Sequence, residues 1–415
     1  MEKIKRGEFF FSYAVVLLPF LYQYRGLGNF ISFGEMLLIP FIGFYLVWDL
    51  IKHSTPVNCP LLCLYTITTV SALLNGFEVY FNFEHALTLY SRLVFYAALI
   101  FVARKHFIYD IVCKFYAWFA VFISIYAIIQ YLYHFLYGGY LPFYFSYELL
   151  FEPEARGSDI VEYYNRTSLY RVSSMFLEPG YMVLYIFPAL IEILIREKNF
   201  FKGALVAIAI VLSGSAAGFV GLVIIFLGTY NALGNKSVIY KLIFIVLTFV
   251  FICLLCIYGF LDNSLARVYS NGSFGGSFDD RIINGILIFH QLPIYHKFFG
   301  TGLNNTGDAM DYYGISTGIN MWGIDKDYCA SIFSLLNGSG IIALIILVWI
   351  FIGYWRQAIS KRIFILLAIF VFILSYEAIL YTYRFAFYII LIEAFIRMDC
   401  KNKMEGKEYE GIAYR

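Results

Sequence analysis

Apolar runs of about 20 residues, each long enough to cross a ~30 Å hydrocarbon core, recur along the chain from Phe9 almost to Met398. They predict helices near 9–24, 30–49, 58–74, 85–103, 111–136, 175–195, 201–213, 216–233, 238–260, 328–354, 362–380 and 383–398, about twelve spans in all. The pattern is least regular at 213–216, where Ser213-Gly214-Ser215-Ala216 breaks one long run into two pieces. The first piece is short for a full crossing, so a tight hairpin is expected there. Most other connections are short turns. Two are long, 137–173 and 261–327, and the rest of 1–415 reads as a single integral membrane domain.

The polar positions orient these spans. The chain opens with the basic stretch Met1-Glu2-Lys3-Ile4-Lys5-Arg6 and runs into an apolar segment with no small-residue cleavage site, which reads as a retained first span with its basic end in the cytoplasm. Alternating from there, Lys52, Arg104, Lys105, Arg196, Lys202, Lys236, Arg356, Arg362 and the tail from Arg397 to Lys407 all fall inside. The short outer turns carry almost no Lys or Arg, as the positive-inside bias requires. Both termini are therefore expected in the cytoplasm, and the two long loops outside. Against that bias, Arg156, Arg166, Arg171, Arg267 and Arg281 sit in the outer loops or at outer helix ends, with Arg92 and Arg384 near the membrane. Arginines kept on the outer face point to an anion to be held there.

Composition agrees with the pattern. Of 415 residues 61% are hydrophobic, 21% aromatic and only 14% charged, with a mean hydropathy of +0.74, which excludes an ordinary soluble domain. The 37 Tyr and 44 Phe suit many interfacial belts. A net charge of +2 says little about partners and gives no reason to expect nucleic acid. Cys253 and Cys256 form a CxxC on a predicted span with no second pair, so helix packing is expected there and no metal.

The candidate chemistry sits at the outer ends. Arg92 lies about 10 Å below the outer boundary of its span at 1.5 Å per residue, a costly depth unless the charge is paired or wetted, which marks it as a functional candidate; the plainer alternative is snorkelling, helped by Glu84 and His85 above it. In Arg171-Val172-Ser173-Ser174-Met175-Phe176-Leu177-Glu178-Pro179-Gly180, Pro179 pushes Glu178 out of helical geometry. Arg171 and Glu178 can then face a cavity, or form a salt-bridged helix entry capped by Ser173 or Ser174. In the second loop, Asp279-Asp280-Arg281 heads a stretch with apolar residues at 282, 283, 286, 287 and 289, the pattern of an interfacial helix. Capping explains Asp279 and Asp280. It leaves Arg281, a cation at a helix N-terminus, in need of an anion. His290 falls on nearly the opposite face. The Gly300–Gly307 stretch, GTGLNNTG, lacks the Lys-Ser/Thr of a nucleotide loop; it is a plain loop or a turn whose amides approach a pyrophosphate. Asp325 and Asp327 flank Lys326 before the tenth span, as general-base candidates or a solvated cap.

These stretches, together with SGSAAGFVGLVI at 213–224, DDRIINGILIFHQLPIYHKFFGTGLN at 279–304 and DYCASIFSLLNGSGIIALIIL at 327–347, resemble in order and spacing the bacterial O-antigen polymerase (Wzy) family. The resemblance extends more distantly to the O-antigen ligases and SEDS glycosyltransferases, and covers roughly 165–350. It implies an all-α polytopic, GT-C-like fold in the bacterial cytoplasmic membrane. The implied activity is transfer of a growing O-antigen or capsule glycan from undecaprenyl diphosphate to a lipid-linked repeat unit at the outer face, without cofactor or obligatory metal. A chain-length regulator and a flippase are the implied partners beside the lipid bilayer. Under this reading Arg281, Arg171, Arg92 and Arg384 hold the diphosphate, and the base is one of Asp325, Asp327, Glu178 and His290. Ligases of this group place a histidine before the span where this chain has Asp325 and Asp327, which favours polymerase over ligase. A flippase or other transporter is the alternative of another class.

Overall fold

A computed structural model describes residues 6–27, 30–52, 59–151, 170–232, 278–317 and 326–404. The predicted span 238–260 with Cys253 and Cys256, and the loop residues Arg156, Arg166, Arg267 and Asp325, lie outside the described residues. Each of the other predicted spans coincides with a helix: α1 (Arg6–Leu21), α2 (Phe33–Ile51), α3 (Cys59–Asn75), α4 (Phe83–His106), α5 (Tyr109–Tyr137), α6 (Pro179–Glu192), α7 (Phe200–Leu212) and α8 (Ala216–Ala232). After three short loop helices, α9 (Asn284–Gln291), α10 (Ile294–Phe299) and α11 (Thr306–Tyr313), come α12 (Ser331–Gln357), α13 (Lys361–Tyr376) and α14 (Tyr383–Met404). Among the described residues the fold is all helical, apart from two isolated β-bridges. Among the described residues five helices are long and apolar enough to cross a membrane, and further shorter ones are apolar.

Two helices form the centre. From Met182 to Glu192 every residue of α6 is buried, and Phe385 to Phe395 of α14 are nearly all buried too. Such all-round burial suits helices apolar on every face. The others wrap them and turn large apolar side chains outward, Phe44, Leu73, Trp118, Phe135, Leu227, Ile345 and Trp349 among them. An apolar outer surface of this extent suits lipid as solvent, and is a liability in water. The expected hairpin is present: Gly214, at φ +55°, turns the chain between α7 and α8.

One helix is broken. Gly340 in α12 has φ 81° and ψ 178°, which ends one helical piece and starts another. In an apolar surround, freed backbone groups need protein partners. The 300–302 turn supplies them, with Thr301 N donating to Asn337 O (2.9 Å) and Gly302 N to Gly338 O (3.0 Å). Ser71 Oγ of α3 also donates to Gly338 O, at 3.0 Å.

The ends of the helices carry charge of two kinds. At one end a buried network joins Arg362, 2% exposed, to Glu192 (3.2 Å) and Asp399 (2.5 Å), and His106 to Glu8 and Asp49 (3.0 Å each). The Arg362 pairs neutralise a cation that the sequence places inside, and removing one partner leaves an uncompensated buried charge. The other end holds the candidate site.

Candidate functional site at the Arg281 end of the bundle

The site is built on the place where α13 stops. Tyr376 is its last residue, and Glu377 turns extended (φ −114°, ψ 146°). The Glu377 carbonyl accepts from Ser331 N (3.0 Å) and Ser331 Oγ (2.6 Å), while the same Oγ accepts from Ile379 N (2.8 Å) and Leu380 N (3.1 Å). This knot ties the start of α12 to the end of α13 and fixes the Glu377 side chain. Its Oε2 lies 2.5 Å from Arg281 Nη1, which also donates to Tyr376 O at 3.1 Å. The guanidinium is 5.0 Å from the Tyr376 ring and 5.9 Å from that of Tyr328, distances at which a ring face attracts a cation. Burial pulls the Arg281 pKa down, but Glu377 and Tyr328 outweigh it and hold the group above the usual arginine value. The anion that Arg281 required is thus Glu377, from a helix far along the chain.

Arg384 opens α14, its Cζ 3.7 Å from the centre of the Tyr181 ring and 5.1 Å from that of Tyr383. Its Nε is buried with no hydrogen-bond partner among the described residues. Tyr383 in turn stacks on Tyr22 at 4.0 Å. Glu178 is the N-cap of α6, extended at φ −134° and ψ 144° with no side-chain cap bond, and Pro179 follows as the first helical residue. It is exposed, as Pro179 led one to expect, and its charge reaches both Arg384 and Tyr328. Arg92, half-buried in α4, makes no hydrogen bond or ion pair among the described residues; its charge reaches Tyr96 one turn on. The Tyr96 hydroxyl donates to Glu35 Oε1, and Tyr22 lies within electrostatic reach of it. Tyr383, Tyr181 and Tyr328 thus form a belt around Arg384 and Arg281 with Glu178 in electrostatic reach, and Tyr22 and Tyr96 lead from it toward Arg92.

The other candidates go elsewhere. Arg171 Nε donates to Ser213 O at 2.9 Å, across Gly214 in the turn between α7 and α8. Ser174, at φ 53°, does not cap α6; its N and Oγ bond Gln130 Oε1 and Ile123 O, each at 2.8 Å. Asp327 Oδ2 accepts from Gly307 N at 3.2 Å, so it caps the N-terminus of α11. The His290 ring is exposed, and only its carbonyl is bonded among the described residues, by Lys297 Nζ at 2.8 Å. Asp279 and Asp280 open a π-helical turn over Asp279–Ile283. The stripe that packs beyond it is Asn284, Gly285 and Ile288, with Ile286 exposed. Gly285 decides this, since a Cβ there would meet Phe333 of α12. Of the readings of GTGLNNTG, the plain structural one accounts for the amides of Thr301 and Gly302, both spent on the break in α12.

Sequence reasoning missed Glu35, Tyr96, Tyr181 and Glu377. Glu35 had a readable signal, because Ser32 and Glu35 form a capping box. Glu377 had none within its own segment. A second missed feature lies above Arg92 on α4: His85 Nδ1 is 3.0 Å from Asp308 Oδ2. Among the described residues, no group of three or more His, Cys, Asp and Glu gathers as metal ligands would. Arg384 and Arg281 both lie over tyrosine faces, Arg281 paired with Glu377 and Arg384 with its Nε unbonded among the described residues. The chain matches no protein-family model and no curated protein.

Proposed function

We propose that the chain is a glycan polymerase of the outer face of the bacterial cytoplasmic membrane, with about twelve spans and both termini in the cytoplasm. It transfers a growing O-antigen or capsule chain from undecaprenyl diphosphate to a lipid-linked repeat unit. The observation that carries this reading is the pair of guanidiniums with open donors at and beside the tyrosine belt, Arg384 with its buried Nε unbonded and Arg92 without an ion pair among the described residues. When the sugar–diphosphate bond breaks, charge builds on the leaving diphosphate. Fixed donors in a water-poor cleft stabilise charge where it develops. Arg281 is a third guanidinium of the belt, already held by Glu377, and Glu178 is a counter-charge for Arg384. An apolar groove of about 300 Å³ between α12 and α13, from Ile332 down to Trp355, offers an isoprenoid tail a path that begins beside the Ser331–Glu377 knot.

The break in α12 favours a second reading, because transporters use interrupted helices to bind substrate or ions. Here the carbonyls of Asn337 and Gly338 are already bonded by Thr301, Gly302 and Ser71, so polymerase is the better account. The test is gene deletion followed by gel analysis of surface glycan, then complementation with Arg384→Ala and Arg92→Ala. A polymerase leaves one repeat unit on the acceptor after deletion, and neither variant restores long chains. Deletion that leaves no repeat unit supports a ligase or a flippase instead.

A further inference from the structure

The proposed reaction needs a proton acceptor for the attacking hydroxyl, and Asp327, His290 and Glu178 each have another place in the fold. Asp327 caps α11, the His290 ring stands apart, Glu178 faces Arg384, and Asp325 lies outside the described residues. We propose that His85, oriented by Asp308, is the catalytic base. This inference rests on the polymerase reading.

The pair is built in, unlike a chance surface contact. Asn82 caps α4, its Oδ1 accepting from Glu84 N (3.0 Å) and His85 N (3.3 Å), which sets His85 in the first helical turn. The 304–308 segment then grips this turn three times. Asn305 Oδ1 accepts from Asn82 N at 2.6 Å, Asn304 Nδ2 donates to His85 O at 3.3 Å, and Asp308 Oδ2 meets His85 Nδ1 at 3.0 Å. Asn304 adopts φ +55° to do so, a backbone state that few residues tolerate. An ionised carboxylate only accepts, so against it the neutral form of the ring carries its hydrogen on Nδ1 and leaves Nε2 as the acceptor. The ring is half exposed, and Nε2 has no partner among the described residues. A general base needs that arrangement, its far nitrogen oriented by a carboxylate.

His85 and Arg92 are seven residues apart, two turns along one face of α4 and about 10 Å between Cα atoms. Side chains on a helix lean toward its N-terminus, so the two keep that spacing, with His85 on the N-terminal side of Arg92. In the proposed pose a diphosphate held by Arg92 spans this gap, and the sugar carbon it carries lies beside the imidazole. In the step, the acceptor hydroxyl gives its proton to Nε2 and its oxygen forms the bond to the anomeric carbon. The carbon–oxygen bond to the diphosphate breaks, its electron pair leaving on the diphosphate, and the imidazolium releases its proton to water.

The test uses the full chain in lipid nanodiscs, with undecaprenyl-diphosphate-linked oligosaccharide as both donor and acceptor. His85→Ala lowers turnover roughly 10²–10⁴-fold, the range for loss of a general base, and added imidazole restores part of it. Asp308→Asn lowers turnover with KM for the acceptor unchanged, since the amide can hold the wrong tautomer. Polymer from wild type together with unchanged turnover in His85→Ala overturns this inference alone. A loss that imidazole does not restore also overturns it, because a structural tie would behave so. A wild-type chain that makes no polymer from this substrate overturns the proposed function along with it.

Discussion

Gly340→Ala isolates the break in α12, against which the 298–302 turn packs. Gly340 has φ 81° and ψ 178°, a region open in practice to glycine alone, and a side chain held there costs about 1–3 kcal/mol. The new Cβ would also lie inside the Phe298 carbonyl and 2.7 Å from Phe299 N, backbone atoms that cannot turn aside. Relief requires the 298–302 turn to move off α12, which breaks the bonds from Thr301 N to Asn337 O and from Gly302 N to Gly338 O. At about 1 kcal/mol each, these bring the total to about 3–5 kcal/mol. The melting temperature of the detergent-solubilised chain should fall by about 3–6 °C. Loss of elongation should accompany it, because the same turn leads to Asp308. Gly353→Ala in the same helix is the control: nothing lies within 4 Å of its Cβ, and alanine in a helix interior is favoured by roughly 0.5–1 kcal/mol. If Gly340→Ala melts with wild type, the break is not what holds the loop and the reasoning fails.

Three further outcomes are expected. Glu377→Gln removes the charge from a largely buried bond to Arg281 and should cost about 1.5–3 kcal/mol, while the backbone knot at Ser331 is untouched; an unchanged melting temperature counts against the pair. Burial, and after it the like charge of Asp279, pushes the Asp280 carboxyl up against the pull of Arg281. The folded chain therefore holds that proton more tightly than the unfolded one, and stability is lost as pH rises above the ordinary value of 3.8. Asp280→Asn should accordingly raise the melting temperature at neutral pH and leave it unaltered below that value, and a melting scan against pH reads this directly. Asp327→Ala should cost about 0.5–2 kcal/mol, the worth of a helix cap, with elongation per folded molecule retained; abolished turnover in a stable protein would restore Asp327 as a base.

Much of the helical plan was legible from local chemistry. Long apolar runs partition into lipid wherever they occur, and in lipid a backbone must satisfy itself, so they become helices. The hairpin at Gly214 followed from a short polar interruption. The extended backbone of Glu178 followed from the steric demand of Pro179 on its neighbour. Arginines at helix ends stood out in the sequence, because a charge near lipid is costly unless it is used or paired.

The pairing of those groups was a different matter. Nothing near Arg281 announces Glu377, nothing near His85 announces Asp308, and nothing around Asp327 says that it caps α11. Glycines in GTGLNNTG look like a cradle for phosphate until α12 breaks against them and takes up their amides. By itself the sequence determined where helices form and which ends carry charge, since both follow from short-range sterics and the solvent each residue prefers. Tertiary structure alone decided which charged, aromatic and backbone groups meet, because partners tens to hundreds of residues apart are chosen by how whole helices pack.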